Sequence, residues 1–568
     1  MKLINTLLHN IQYNKKYQFW LFFAILVFLT LFMMWCNGLS SSYQGYDFYF
    51  HYRRLDVLID ALKQGLFPNY TDYSNVDGYG YFTKGFYCDA ILIPFALIGL
   101  FTSTYFAYDV MIFTMTVLCG VFTYHAVRVI YKSSYVALLT SILYTFAIYR
   151  LYDVYQRAAF GEALSFTFLP LIFLGLYHII KGDYKKWYIL AIGYSLLIFT
   201  HVISSVLTFI TLLIILVVCY KPILKEPKRI GYLFLAGLVT IAVTAYYLFP
   251  VIEQLASNTF LYSMGGKAGY GKVGFDLVFW GLISGILYPG KAIWSGVGII
   301  LILLILLRFF IKGKKSDGLK SVDIGVIIGI CFIIASSRIF PWGTFPFSLI
   351  GFIQYPWRLY EFASCFFAVA GAYYLSLLFV KTKSRIIVFA VIVVATMVTT
   401  YIHSENYKYL YYAKALQIYA GNSDENPAFY NHYHLIGGEY FPARIVAIDY
   451  IYIRGEKVEF KNEDTQISNL KRNKNRTSFD IEVHATDSLL LPLLYYKGYH
   501  VTLDGIDLPV QQSPTGLVQI VADKSGRVEA YYKGTTTQWV SFYISIISIL
   551  AFSIFIIWSK KREHETGR

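Results

Sequence analysis

Residues 15–37 read KKYQFWLFFAILVFLTLFMMWCN: two lysines, then a run without a single charge. A bilayer core asks for roughly 20 such residues in one helix. The run is too long for a signal-peptide core and has no small-residue cleavage site, so it reads as an uncleaved anchor. Lys15 and Lys16 precede it, which places the N-terminus inside. Eleven further apolar runs follow, at about 108–131, 134–149, 162–180, 187–200, 202–220, 230–250, 293–311, 322–337, 357–380, 386–402 and 537–558. Between them stand basic loops: Arg128/Lys132, Lys181/Lys185/Lys186, Lys221/Lys225/Lys228/Arg229, Lys312/Lys314/Lys315, Lys381/Lys383/Arg385 and Lys560/Lys561/Arg562. Cytoplasmic loops are enriched in Lys and Arg, so one consistent threading leaves all of these inside. Lys267, Lys272 and Lys291 fall outside on that threading, spread over a long loop where the bias is weak. The expected fold class is an α-helical multi-pass membrane protein of about 12 transmembrane helices with a small extracellular β-sandwich. Both termini are cytoplasmic on this reading.

Composition agrees. The chain is 57% hydrophobic and only 15% charged, against about a quarter charged in soluble domains. The net charge of +15 is carried mainly by short loops and reports topology rather than nucleic acid. The six cysteines lie mostly in apolar runs and show no metal-ligand spacing. Cys36 and Cys88 flank one outer loop, but nothing in the spacing demands a bridge. His432 and His434, in a Tyr-rich loop, do not make a metal set.

The spacing divides the chain into residues 1–402, a membrane domain with a long first outer loop at 38–107; residues 403–536, an extracellular domain that is mainly β-sandwich from about 444; and residues 537–568, a last crossing and basic tail. Within the first loop, 46–64 reads as an amphipathic helix ended by Gly65 and Pro68. The run 90–101 reads as an outer-face or re-entrant helix, since a crossing there would break the alternation of basic loops. The stretch 187–220 reads as two short helices meeting near Thr200–His201. In the tail, 477–484, 499–503, 517–521 and 528–532 alternate as strands do, with Asp504-Gly505 and Ser525-Gly526 as turns.

The polar residues left at the outer ends of the apolar runs point to a site. Asp47, His51 and Arg54 recur at helical spacing, so they share a face. A carboxylate there is a candidate general base, and an N-cap is its ordinary structural role. Arg157 and Glu162 stand at the mouth of a crossing; a local ion pair is the plain alternative to phosphate binding. Gln354-Tyr355-Pro356-Trp357-Arg358 opens another crossing, where Arg and Trp also serve as interfacial anchors. His201 tops a helical hairpin.

Together these segments resemble the GT-C superfamily of polyprenyl-phosphate-sugar glycosyltransferases. They are more closely similar to a bacterial branch labelled as related to 6-pyruvoyl-tetrahydropterin synthase, though no residue here supports that soluble metal chemistry. The resemblance is carried by Asp47-x3-His51-x2-Arg54, Gly78-Tyr79-Gly80-Tyr81, Arg157 through Glu162, His201, Gln354 through Arg358 and Glu439-Tyr440-Phe441-Pro442, with Tyr495-Tyr496-Lys497-Gly498 and Gly516-Leu517-Val518 in the tail. It implies Asp47, His51 and Glu162 as catalytic residues. Arg54, Tyr79, Tyr81, Arg157, His201, Gln354, Arg358 and Glu439 would bind substrate. The expected partners are a polyprenyl-phosphate sugar and an envelope glycopolymer such as a teichoic acid, a glycolipid or a protein, with no cofactor and no metal called for. Two other classes fit the same loops: a flippase for lipid-linked glycans and a non-catalytic envelope assembly factor.

Overall fold

A computed structural model of the chain describes residues 14–40, 45–73, 76–264, 268–269, 271–284, 296–313, 316–421, 440–445, 448–473 and 475–565. Glu439, His432, His434, Lys267 and Lys291 lie outside the described residues. The chain folds into two compact units. The first comprises Met1–Tyr52, Thr102–Ala236 and Gly266–Ser423; the second comprises Arg53–Phe101, Gly237–Gly265 and Asp424–Arg568.

Nine helices among the described residues are long and apolar enough to cross a bilayer: Lys16–Asn37, Thr104–Tyr131, Ser134–Gln156, Phe160–Ile180, Lys228–Ser257, Asp317–Ser336, Pro356–Leu378, Thr382–Lys408 and Thr536–Arg562. The protein is therefore a multi-pass membrane protein. The remaining apolar runs are wound into shorter helices among the described residues, Tyr188–Ile198, Val202–Val218 and Ile299–Phe310. The first two of these meet around Phe199–His201, where the sequence places a break. The expected outer-face run contains only the seven-residue helix Ile93–Gly99, about 10 Å long at 1.5 Å per residue and too short to cross.

Helices in the first unit approach closely where glycine removes the side chain. A Cβ on Gly120 would meet the Leu26 side chain at 2.6 Å, and one on Gly371 would meet the Leu304 Cβ at 2.6 Å. Small residues at such crossings are how helices pack where lipid removes the usual hydrophobic drive.

The second unit holds the strands β1 (Gln466–Asn473), β2 (Arg476–Glu482), β3 (Asp487–Leu494), β4 (Tyr499–Leu503), β5 (Ile506–Leu508), β6 (Gln511–Gln512), β7 (Leu517–Ala522) and β8 (Gly526–Tyr532). They form two antiparallel sheets, ordered β1-β2-β8-β4-β5 and β3-β7-β6. The alternation in β2 and β4 sends Phe479, Ile481, Val501 and Leu503 into the core. Asp504 and Gly505, with φ of 49° and 81°, join β4 to β5 as the left-handed pair a two-residue hairpin needs. A short helix, Ile448–Arg454, precedes the strands in a stretch whose start reads as irregular from sequence.

Candidate functional site

The first unit gathers charge around a break between two helices. The span that starts at Ser134 breaks at Phe146–Ala147, resumes as the short helix Ile148–Leu151 and ends in a π-helical turn at Tyr152–Gln156. Such turns recur at functional sites because they re-aim side chains. Ala158 then takes a left-handed φ of 51° before the Phe160–Ile180 helix begins. This geometry folds Arg157 back between two carboxylates. Its Nη1 donates to Asp153 Oδ1 at 2.8 Å and to Glu162 Oε2 at 3.0 Å. Arg358 approaches the same Glu162 oxygen from another helix, its Nε 3.1 Å away. Tyr149 donates its hydroxyl to Glu162 Oε1 at 2.5 Å. Glu162, Asp153, Arg157 and Arg358 are all buried. The other two guanidinium nitrogens of Arg157 make no hydrogen bond among the described residues, which leaves part of its fork for an oxyanion.

The Gln354–Arg358 segment is shaped around its arginine. Gln354 adopts a φ of 64° and accepts from Arg358 Nη2 at 3.3 Å, while Arg358 Nη1 donates to the Ile353 carbonyl at 3.2 Å. The Tyr355 ring lies against both guanidiniums, 6.0 Å from Arg157 and 5.4 Å from Arg358, and stacks on Trp357 at 4.4 Å. Pro356 starts the turn that carries Arg358 into its helix.

Asp47 is brought to this group by its backbone. The N–H groups of Tyr46 and Asp47 donate to the carbonyls of Gln156 and Arg157 at 3.2 and 2.7 Å. Gly45 makes this approach possible. A Cβ there would collide with the Tyr155 carbonyl, meet the Gln156 carbonyl at 2.7 Å and the Ala158 Cβ at 2.9 Å. Gly45→Ala should therefore push the Gly45–Asp47 segment away from Tyr155–Ala158. Any activity that depends on the position of Asp47 should fall by up to about 10²-fold, the loss that displacement by an ångström can produce, with the protein still accumulating in the membrane.

Asp47 immediately precedes the Phe48–Lys63 helix, and its carbonyl accepts from the His51 N–H at 3.3 Å. It thus occupies the cap position rather than a place inside the helix. Its side chain is open to solvent yet crowded by protein. Desolvation raises its carboxyl above the ordinary aspartate value; Arg157 and then Arg358 pull it back down, and Glu162 pushes it up. Burial opposes the Arg157 cation, but Glu162 and Asp153 outweigh it and hold the guanidinium charged.

His51 is buried, its ring 6.4 Å from that of Phe160. His201 caps the Val202–Val218 helix, its Nδ1 accepting from the Ser204 N–H at 3.2 Å, so the ring proton belongs on Nε2 when neutral. Ser204 Oγ donates to Glu361 Oε2 at 3.1 Å, and Ser165 Oγ donates to Glu361 Oε1. Glu361, Asp153 and Tyr149 escape the sequence reading. A lone carboxylate in an apolar helix three residues after Arg358, and the Asp153-x3-Arg157 spacing, were the signals that could have found the first two.

Three other expected site residues, Arg54, Tyr79 and Tyr81, belong to the second unit. Arg54 donates there to the Cys88 carbonyl at 2.9 Å and lies over the Tyr87 ring at 4.6 Å. The helical spacing that links it to Asp47 in sequence fixes a face, not a partner. Tyr79 and Tyr81 are almost wholly buried in the core of the second unit. The Tyr79 hydroxyl donates to the Gly455 carbonyl at 2.6 Å and accepts from Arg454, and the Tyr81 hydroxyl accepts from the Tyr440 N–H at 3.3 Å. Both pack the core and present no open face to a substrate. Among the described residues no group of three or more His, Cys, Asp or Glu side chains is placed to hold a metal ion.

No family model matches the chain. A protein of Lactococcus lactis subsp. cremoris, described as uncharacterized, is 24% identical over 340 residues, which cover 58% of this chain and 55% of that one. Two solved structures are similar at low level. An archaeal oligosaccharyltransferase, AglB from Archaeoglobus fulgidus in complex with an inhibitory peptide and a dolichol-phosphate, has a TM-score of 0.36 and 13% identity over 74% of this chain and 60% of that chain. An Archaeoglobus fulgidus oligosaccharyltransferase in complex with Zn and sulfate has a TM-score of 0.34 and 15% identity over 72% and 57%. The chain thus spans little more than half the length of the proteins it matches.

Proposed function

We propose that the protein is a membrane glycosyltransferase of the GT-C type. It would transfer a sugar from a polyprenyl-phosphate donor to a cell-envelope acceptor at the outer face, with inversion. The observation that carries this reading is the docking of the Gly45–Asp47 segment onto Gln156 and Arg157, which brings the Asp47 carboxyl within electrostatic reach of two arginines bridged by Glu162. The order of motifs along the chain supports it as well.

In this mechanism an acceptor hydroxyl attacks the anomeric carbon as Asp47 takes its proton. The bond from that carbon to the lipid-phosphate oxygen breaks, and the phosphate leaves with the electron pair. Arg157 and Arg358 stabilise the charge that grows on it. Glu162 fixes both guanidiniums; His51, His201 and Gln354 pack or cap the elements that hold them. Phosphate leaves readily enough that no strong general acid is needed.

The test is a transfer assay with purified protein in lipid nanodiscs, a polyprenyl-phosphate sugar and envelope acceptors, reading release of the polyprenyl phosphate. The wild type should release it only when acceptor is present. An Arg157→Gln, Arg358→Gln double variant should lose donor binding before acceptor binding, and lysines should restore it only in part because a point charge lacks the planar fork. Full turnover by the double variant would remove the phosphate clamp. A flippase would move the donor across the bilayer with its glycosidic bond intact, and an assembly factor would do neither.

A further inference from the structure

A cavity of about 430 Å³ opens in the second unit, within the roughly 300–1,000 Å³ of small-molecule sites. Its wall comes from the C-terminal end of the Phe48–Lys63 helix, the turn that follows, and the stretch leading from β8 into the Thr536–Glu565 helix. Two aromatic rings on this wall are conspicuously open: Phe67 at 42% and Trp539 at 44% exposure. Around them stand planar polar groups. The side chains of Asp60, Gln64 and Asn475 make no hydrogen bond or ion pair among the described residues. Asn69 accepts from the Thr71 N–H at 3.2 Å through Oδ1, and its amide nitrogen donates to nothing among the described residues.

The wall is held in place. Gln538 accepts from the Thr535 N–H at 2.9 Å and donates to the Tyr532 hydroxyl at 2.7 Å, which fixes the turn that presents Trp539. Trp539 also donates to the Lys533 carbonyl at 3.2 Å.

The chemistry selects a ligand. A phosphate would meet Asp60 and Asp72 against Lys533 alone, so the lining repels anions. A purely apolar guest would leave the amides and the carboxylate of the wall desolvated and unpaired. A pyranose satisfies both kinds of surface. Its C–H face lies on an aromatic ring, and its rim of hydroxyls donates to carboxylate oxygens and pairs with amide groups at once.

We propose that this cavity is a binding site for a neutral sugar residue, supplied either by a free glycan strand or by the headgroup of a glycolipid. Trp539 stands at the start of an apolar helix of crossing length, so either source reaches it from the membrane surface. The site does not depend on the transferase reading, because none of its residues belongs to the Asp47 group.

The experiment uses the full chain carrying Asp47→Asn in nanodiscs, so that turnover cannot confuse binding. Titration calorimetry is run with neutral oligosaccharides of glucose, galactose and N-acetylglucosamine. The same sugars are then offered on diacylglycerol, with phosphatidylglycerol as the anionic comparison. At least one neutral sugar should bind. Trp539→Ala combined with Gln64→Ala should weaken it by about tenfold or more, while Trp539→Phe, which keeps a ring, should lose much less. Binding only of the lipid-borne sugar identifies a glycolipid headgroup; binding of both forms identifies a glycan strand. Three results overturn the proposal: no neutral sugar binds, the double variant binds as well as its parent, or phosphatidylglycerol is preferred.

Discussion

Asp47→Asn is expected to abolish most transfer while leaving the protein in the membrane at wild-type amounts. Asparagine is nearly the same size and caps helices as well as aspartate does. The backbone bonds that dock this segment, from the Tyr46 and Asp47 N–H groups, do not involve the side chain. What the variant lacks is the ability to take a proton. General-base catalysis contributes about 10²–10⁴-fold, so turnover should fall by at least 10². The pH profile gives a second readout. A base works only when ionised, so activity is lost as pH falls through the carboxyl's own pKa. Desolvation raises that value for Asp47. The acid limb of kcat/KM should therefore lie above the range near 3.9 of an ordinary aspartate, and it should vanish in Asp47→Asn. Near-normal transfer by the variant would reduce Asp47 to a helix cap and end the enzyme reading.

The second large effect concerns folding. Glu162 is 1% exposed and accepts from Tyr149 and Arg157, with Arg358 Nε against the same oxygen as Arg157. Glu162→Ala removes the one ion-pair partner that Arg358 has among the described residues and leaves it the Ile353 carbonyl and the Gln354 amide; Arg157 keeps Asp153. Removing one partner of a buried ion pair typically costs about 3–5 kcal/mol. The variant should unfold at clearly lower temperature in detergent. Adding Arg358→Gln to Glu162→Ala should recover part of the loss, because the orphaned cation is then gone. An unchanged melting temperature in Glu162→Ala would show that the group is solvated and not the dry cluster described above.

Much of the architecture was legible because it follows from local rules. Charge-free runs gave the long helices, period-two alternation gave β2, β4, β7 and β8, and Asp504-Gly505 marked a hairpin. Arg157 and Glu162 could be paired from sequence because only one turn of chain separates them. Asp47 and Arg358 come from distant segments, and only their residue types and the mouths of their helices suggested a common place. Spacing alone does not assign partners. Arg54 shares helical spacing with Asp47 but finds its partners at Cys88, Tyr87 and Asp89. Tyr79 and Tyr81 look like binding-loop aromatics, yet a small β unit needs large rings for its own core. Nor does hydropathy alone fix helix length, since the eleven-residue helix Tyr188–Ile198 is as apolar as the longer ones.

The backbone clasp of Gly45–Asp47 on Gln156–Arg157 also bears on biogenesis. During synthesis the aspartate leaves the ribosome before its arginine does, with the membrane-length helices Thr104–Tyr131 and Ser134–Gln156 still to be made and inserted. Arg358 arrives later still. A chain arrested before that point would carry the acidic residue without the cations that flank it in the finished fold, so partially inserted protein is expected to be chemically silent. Under the proposed function, activity would then switch on only when assembly is nearly complete.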